Sequence, residues 1–281
     1  SNSYSTASVN CGGQGGGLVG TNSGSISNSY ATGSVNGGSA VGGLVGSQTN
    51  SGSLSNSYAT GSVTGSSYVG GLAGHNNGGA ITSSYWDRET SGISNLSKGV
   101  GNVPNAAGVT GLTTAQMKEA DRYSAWDTAA VWYLNGGQTA PLLRSFLTSL
   151  TVSADSATKV YDGTTAATFD NITYAPASGS YDAAKVGGTL AGSGKDVGSY
   201  GLAGLYTTSQ QGYLISYNPA STLTITPRAL TASVTVDNKV YNGTTEATIS
   251  GGINLGNLIG GDTVSATYIS GDFADKHVGD N

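Results

Sequence analysis

Five stretches carry residue types at spacings that could do chemistry. Gly15-Gly16-Gly17-Leu18-Val19-Gly20 fits G-x-G-x-x-G, the turn that cradles a dinucleotide pyrophosphate. Gly192-Ser193-Gly194-Lys195 is like the end of a phosphate loop. Asp162-Gly163 could present a general base or a calcium ligand. His75 and His277, the two histidines, could move a proton or hold a metal. Trp86-Asp87-Arg88-Glu89-Thr90, with Tyr85 before it, is the densest group of ionisable and aromatic side chains, a mixture that sugar-binding faces often use.

Internal repeats supply a control for each motif. Gly15 becomes Val41 and Val69 in the following units, and no helix-forming stretch follows any copy, so a phosphate has no helix N-terminus to meet. The phosphate-loop pattern needs a glycine where Thr189 stands and Ser or Thr where Asp196 stands, and Gly194 corresponds to Asp275 in a second copy. Asp162-Gly163 returns as Asn242-Gly243, which keeps the geometry of a tight turn and discards acid–base chemistry. Neither histidine has a cysteine, histidine or acid at metal-ligand spacing. Cys11, the single cysteine, can form no internal disulfide and reads as a small packed side chain. Cleavage of polysaccharides requires an acid with a base or nucleophile on one face, and the second and third units hold no Asp or Glu. Catalytic residues, metals and cofactors are therefore not expected. Tyr85, Trp86, Asp87 and Arg88 remain as possible glycan contacts.

The elements that must position these residues follow from composition and period. Glycine supplies 46 of 281 residues and only 10% are charged, while Tyr, Val, Leu and Ile recur at regular intervals; closely turned β-structure suits this pattern. A net charge of −5 gives no attraction to phosphate backbones, so nucleic acid is not an expected partner. No apolar run is long enough to span a membrane. "NSYSTASV" at 2–9 recurs as "NSYATGSV" at 28–35 and 56–63, and "SSYWD" at 83–87 begins a degraded fourth copy. "GGLVG" at 16–20 and 42–46 and "GGLAG" at 70–74 follow the same steps. Each unit carries short apolar stations (Ile26, Tyr30, Val35, Val41 and Leu44 in the second) separated by Gly, Ser or Asn. One such unit cannot bury its apolar side alone, but stacked units can. The period predicts a right-handed β-solenoid with roughly 4.8 Å between coils and ladders of like residues.

Residues 113–146 hold the helix-forming character of the chain, with Thr113 or Thr114 placed to cap a short helix through Met117 and Ala120, and Trp126, Trp132, Tyr133, Leu142 and Leu143 forming an apolar cluster. A mixed helical cap over the open solenoid edge is expected there. Then "KVYDGTTAAT" at 159–168 returns as "KVYNGTTEAT" at 239–248, and "KDVGSY" at 195–200 aligns with "KHVGDN" at 276–281. The expected organisation is a solenoid end at 1–92, a cap at 93–148, a small all-β domain at 149–227 and a shortened second copy at 228–281.

The GGLVG and GGLAG units resemble the GLUG repeats of bacterial surface proteins. Leu112 through "TTAQM", "WD", "VW" and "PLL" is similar to the module that often ends such arrays, and the two KVY[DN]GTT stretches with "FADKHVG" resemble YDG domains. The combination is similar to filamentous-haemagglutinin-like adhesins of Gram-negative bacteria exported by two-partner secretion. "DAAKVGGTLAGSG" at 182–194 departs from the usual YDG pattern, which leaves a sandwich and a grasp-like sheet both open. The resemblance implies a non-enzymatic structural and adhesive segment, secreted to the cell surface and acting in cell adhesion or biofilm. Its partners would be host or bacterial surface glycans or proteins, with an outer-membrane secretion partner for the full-length protein. A carbohydrate-binding module with a local site at the solenoid end is the alternative, and a polysaccharide-acting β-helix is the weakest reading.

Overall fold

The computed structural model describes residues 1–277; Val278–Asn281, the end of the "KHVGDN" match, lie outside them. Nearly all regular structure is β, and no α-helix occurs among the described residues. The chain divides into two compact units. Ser1–Thr151, Tyr174–Gly188 and Leu205–Ser216 form the first; Val152–Thr173, Thr189–Gly204 and the chain from Tyr217 onward form the second.

A β-solenoid of about four coils makes up most of the first unit. Each of the first three coils is a ring of short strands, and each strand pairs in parallel with its copy in the next coil: Tyr4↔Tyr30↔Tyr58↔Tyr85, Val9↔Val35↔Val63, Gln14↔Ala40, Val41↔Val69, Val19↔Val45↔Ala73 and Ile26↔Leu54↔Ile81. The register continues past residue 92. Leu18 N–H bonds Leu44 O, Leu44 N–H bonds Leu72 O, and Leu72 N–H bonds Gly99 O, while Val109–Leu112 pairs with Ser84–Asp87. A fourth coil thus runs to Leu112, with Gly99 where the leucines stand.

The N-S-Y triplet has a job at each position. Asn2, Asn28 and Asn56, and Ser83 in the last copy, adopt φ of 54°, 50°, 47° and 43°, the left-handed region that asparagine tolerates best among non-glycine residues. The serine hydroxyl then ties neighbouring coils: Ser29 N–H donates to Ser57 Oγ and Ser57 N–H to Ser84 Oγ, while each hydroxyl donates to the carbonyl two residues before it. Tyr4, Tyr30 and Tyr58 stack with ring centroids 5.5 and 4.7 Å apart. The glycines of GGLVG answer to close approach. A Cβ on Gly16 would strike Val19 O and the backbone of Gly46, and one on Gly17 would meet Gly43 O and lie 2.7 Å from Ala31 Cβ. Neither glycine has positive φ, so crowding between coils selects them.

The segment after Leu112 differs from the expected helical cap. It contains 3₁₀ turns at Gln116–Lys118 and Ala120–Tyr123 and a hairpin of Trp132–Tyr133 with Leu142–Leu143. Thr113 does cap, reciprocally with Gln116: Gln116 N–H donates to Thr113 Oγ1 and Thr113 N–H to Gln116 Oε1. The helix stops there because Met117, Tyr123, Trp126 and Trp132 are spaced six, three and six apart, which gives no continuous helical stripe. These side chains cover the flank of the solenoid, packing on Tyr30 and Tyr58 with Leu112 and Leu143. Tyr58 OH donates to Pro141 O at 2.7 Å, and Tyr30 OH donates to Gln210 Oε1 at 2.8 Å. Gln210 also takes the Leu143 N–H and returns its own N–H to Leu143 O, so the 205–216 turn clasps the hairpin.

The second unit contains the parallel pair Ala157–Val160 with Thr222–Thr226, and the latter runs antiparallel to Gly198–Gly201. Leu190, Leu202, Leu223 and Ile225 are buried. The pairing makes a mixed sheet. In the second copy Thr231–Ser233 pairs with Asn254–Gly256, but 237–240 forms no strand. Its first-copy counterpart, Ala157–Val160, pairs in parallel with Thr222–Thr226.

Candidate functional site

Tyr85, Trp86 and Asp87 lie on one strand of the last coil, where alternation sends neighbours to opposite sides, and Arg88 opens the turn that follows it. Trp86 is fully buried in the solenoid interior. It stands in register with Ala31 and Ala59. The alanine of the inner coils has become tryptophan just where their leucine has become Gly99. A Cβ on Gly99 would lie 2.8 Å from the indole Nε1. Trp86 therefore plugs the core and offers no face to a sugar. Asp87 is 1% exposed. Its Oδ1 accepts the N–H groups of Glu89 and Thr90, and its Oδ2 accepts the Thr114 hydroxyl at 2.7 Å. Tyr85 turns outward beneath the cap, donating to Arg122 O and packing edge-on against Tyr123. Arg88 is half-buried. The four residues form no shared surface: Trp86 is in the core, Tyr85 and Asp87 are covered on the opposite side of the strand, and Arg88 borders solvent.

The glycine motif at 15–20 belongs to the same architecture. Gly15 is buried, and a Cβ there would sit 2.7 Å from Cys11 Sγ. Positions 11 and 15 in the first coil match Gly37 and Val41 in the second, so cysteine supplies at one position the bulk that valine supplies at the other. The glycine-rich run at 192–195 is a turn: Ser193 N–H bonds Gly201 O, and the Tyr200 ring covers Gly194.

The KVY[DN]GTT stretches form a lysine clasp that their residue types alone did not disclose. Lys159 Nζ donates to Asp162 Oδ1 (2.6 Å), Thr164 O (2.7 Å), Thr164 Oγ1 (3.0 Å) and Ala166 O (2.8 Å). Lys239 repeats this with Thr244 O, Thr244 Oγ1 and Glu246 O. Asp162 and Asn242 each accept the N–H and hydroxyl of the threonine two residues on. The Lys159 ammonium first, and then the Thr164 donors, hold the Asp162 carboxyl down to about 2. The signal was the lysine three residues before each Asp or Asn.

His75 and His277 stand in different surroundings. Asp275 Oδ1 accepts the His277 backbone N–H. His75 meets the Tyr68 ring edge-on, with centroids 5.1 Å apart. Together they border a shallow depression of about 320 Å³ on the solenoid face. No group of three or more His, Cys, Asp or Glu side chains placed to hold a metal ion occurs among the described residues. Likewise, no described helix is long and apolar enough to cross a membrane.

Comparison with known proteins finds two family models. The GLUG motif matches residues 12–36 and 37–64, and the YDG domain matches residues 226–281. No curated protein and no solved structure matches the chain. The matched coils between residues 12 and 64 and the second clasped loop, KVYNGTT, thus correspond to recognised sequence families: this chain carries GLUG motifs, wound into a β-solenoid, and a YDG domain.

Proposed function

We propose that this chain is a structural and adhesive segment of a large secreted bacterial surface protein, acting without covalent chemistry. The observation that carries the reading is the stacking of like residues in register through the coils, with no Asp, Glu, Lys or Arg before Asp87. A solenoid of this kind grows by adding coils, each contacting only its neighbours, and so yields length and surface in place of a reaction pocket. The chemistry-like motifs agree with this role, because each is absorbed into a turn, a ladder or the core. On this reading the coils present a long, uncharged Ser/Thr/Asn surface at the exterior of a Gram-negative cell, and the YDG domains act as spacers. The partners are surface glycans or proteins of host or bacterial cells, and an outer-membrane partner exports the full-length protein.

The test is attachment. Microspheres coated with the 281-residue chain are expected to adhere to epithelial or bacterial cells above spheres coated at equal density with the urea-unfolded chain. Equal adhesion of folded and unfolded coatings to every surface tried would remove the adhesive role.

A further inference from the structure

Strand register places one feature on the open solenoid face that the repeats do not explain. Gln14, Ala40 and Tyr68 occupy one column of aligned positions, and Thr21, Ser47 and His75 occupy the facing one. In the first coil the pair is Gln14 and Thr21, joined by a 2.7 Å hydrogen bond. In the second it is Ala40 and Ser47, both small. In the third it is Tyr68 and His75, packed edge to face. Small residues between two taller pairs leave a slot, and this is the depression of about 320 Å³, bordered further by Gln48 and Asn77. That volume lies at the lower end of the range for small-molecule sites. Its walls are two coils apart, about 9.5 Å between chain centres, so one ring-sized ligand fits between them.

Two observations set Tyr68 apart from a repeat residue. It is 52% exposed. Its φ is 47°, and it is the one aromatic among the described non-glycine residues in the left-handed region, where six of the other seven are asparagines. A bulky ring there is strained, and strained backbone concentrates where function holds it. The polar lining is available: among the described residues, Ser47 Oγ, the Asn77 amide and both His75 ring nitrogens make no hydrogen bond, and Gln14 uses only its carbonyl oxygen. Among the described residues, no charged side chain lines the slot.

We infer that this slot binds a neutral saccharide ring, with Tyr68 packing against the ring's C–H face and Ser47, His75, Gln14 and Asn77 meeting its hydroxyls. An exposed aromatic wall beside neutral donors and acceptors suits a polyhydroxylated ring; an ionic ligand would find no counter-charge, and a purely apolar one would leave the amides unpaired. The inference rests on the adhesive reading above and gives it a ligand class.

The test is saturation-transfer NMR on the full chain with methyl glycosides of glucose, galactose, mannose and N-acetylglucosamine at millimolar concentration. At least one glycoside should take up saturation and shift the His75 ring signals. Tyr68→Gly removes the ring while placing at φ 47° the residue that best accepts it, so its unfolding midpoint should equal or exceed that of the wild type. Ser47→Leu fills the slot floor. Each variant should weaken binding by about tenfold or more. No transfer from any glycoside overturns the inference, as does binding that survives either substitution. Microsphere attachment is read separately: loss of the sugar site with attachment intact leaves the structural role standing, and absent attachment with sugar bound leaves the slot standing.

Discussion

Trp86 and Gly99 are an exchanged pair, and a double-mutant cycle tests whether the exchange terminates the core. The inner coils pair alanine (Ala31, Ala59) with leucine (Leu44, Leu72); the last pairs Trp86 with Gly99. Trp86→Ala deletes a fully buried indole, a loss of about 3–5 kcal/mol. The indole N–H has no hydrogen-bond partner among the described residues, so its removal also relieves an unpaired donor and favours the lower end of that range. Gly99→Leu is permitted by the backbone, whose φ is −60°, but the new Cβ would lie 2.8 Å from Trp86 Nε1 and 2.6 Å from Val109 Cγ1. Such overpacking costs about 1–3 kcal/mol. If the two changes were independent, the double variant would lose about 4–8 kcal/mol. The double variant instead restores the alanine–leucine arrangement of the inner coils, with leucine refilling part of the indole's space, so the expected loss is about 1–3 kcal/mol. Urea unfolding followed by the fluorescence of Trp126 and Trp132 reads all four corners of the cycle. Agreement of the double variant with the sum to within about 0.5 kcal/mol would refute the exchange.

Two further predictions concern pH and the clasp. Burial raises the pKa of Tyr30, Tyr58 and Tyr123 above the free tyrosine value, with like neighbours adding to it. Their neutral form is favoured by the fold, so this stabilisation is complete below about pH 10 and drains away as pH rises toward the raised values. Phenolate absorbance should show these residues ionising only as the alkaline chain unfolds; titration in a folded chain near pH 10 would contradict the packing. Lys159→Met leaves the carbonyls of Thr164 and Ala166 without their cation and should cost about 1–3 kcal/mol in urea unfolding; an unchanged midpoint would show that the clasp is incidental. Asp162→Asn keeps the threonine bonds, as Asn242 does in the second copy, but gives up the charged contact with Lys159, so it should be less stable than the wild type at neutral pH. It should also remove the part of acid destabilisation that develops as pH falls from about 4 towards 2, where wild-type Asp162 protonates.

The solenoid was legible because identical residues at a fixed period must fall into columns once coils stack, so the NSY and GGLVG repeats alone predict ladders, a leucine core and glycines at close approach. The turn reading of Asp162-Gly163 followed from its own second copy, since Asn242 preserves geometry and abandons acidity. What local sequence left undetermined was the direction of each side chain. In Ser84–Asp87 both sides of the strand are covered, one by core and one by cap, so no hydrophobic-polar alternation reveals that Tyr85 faces out and Trp86 in. The tyrosine column meets its partners across long gaps, as Tyr58 does at Pro141 and Tyr30 at Gln210, and no local pattern encodes such contacts. Tertiary structure likewise decided the slot: Tyr68 and His75 are seven residues apart, but only coil register sets both above Ala40 and Ser47. Period fixed which residues would stack, and three-dimensional packing fixed which of them remain open to a ligand.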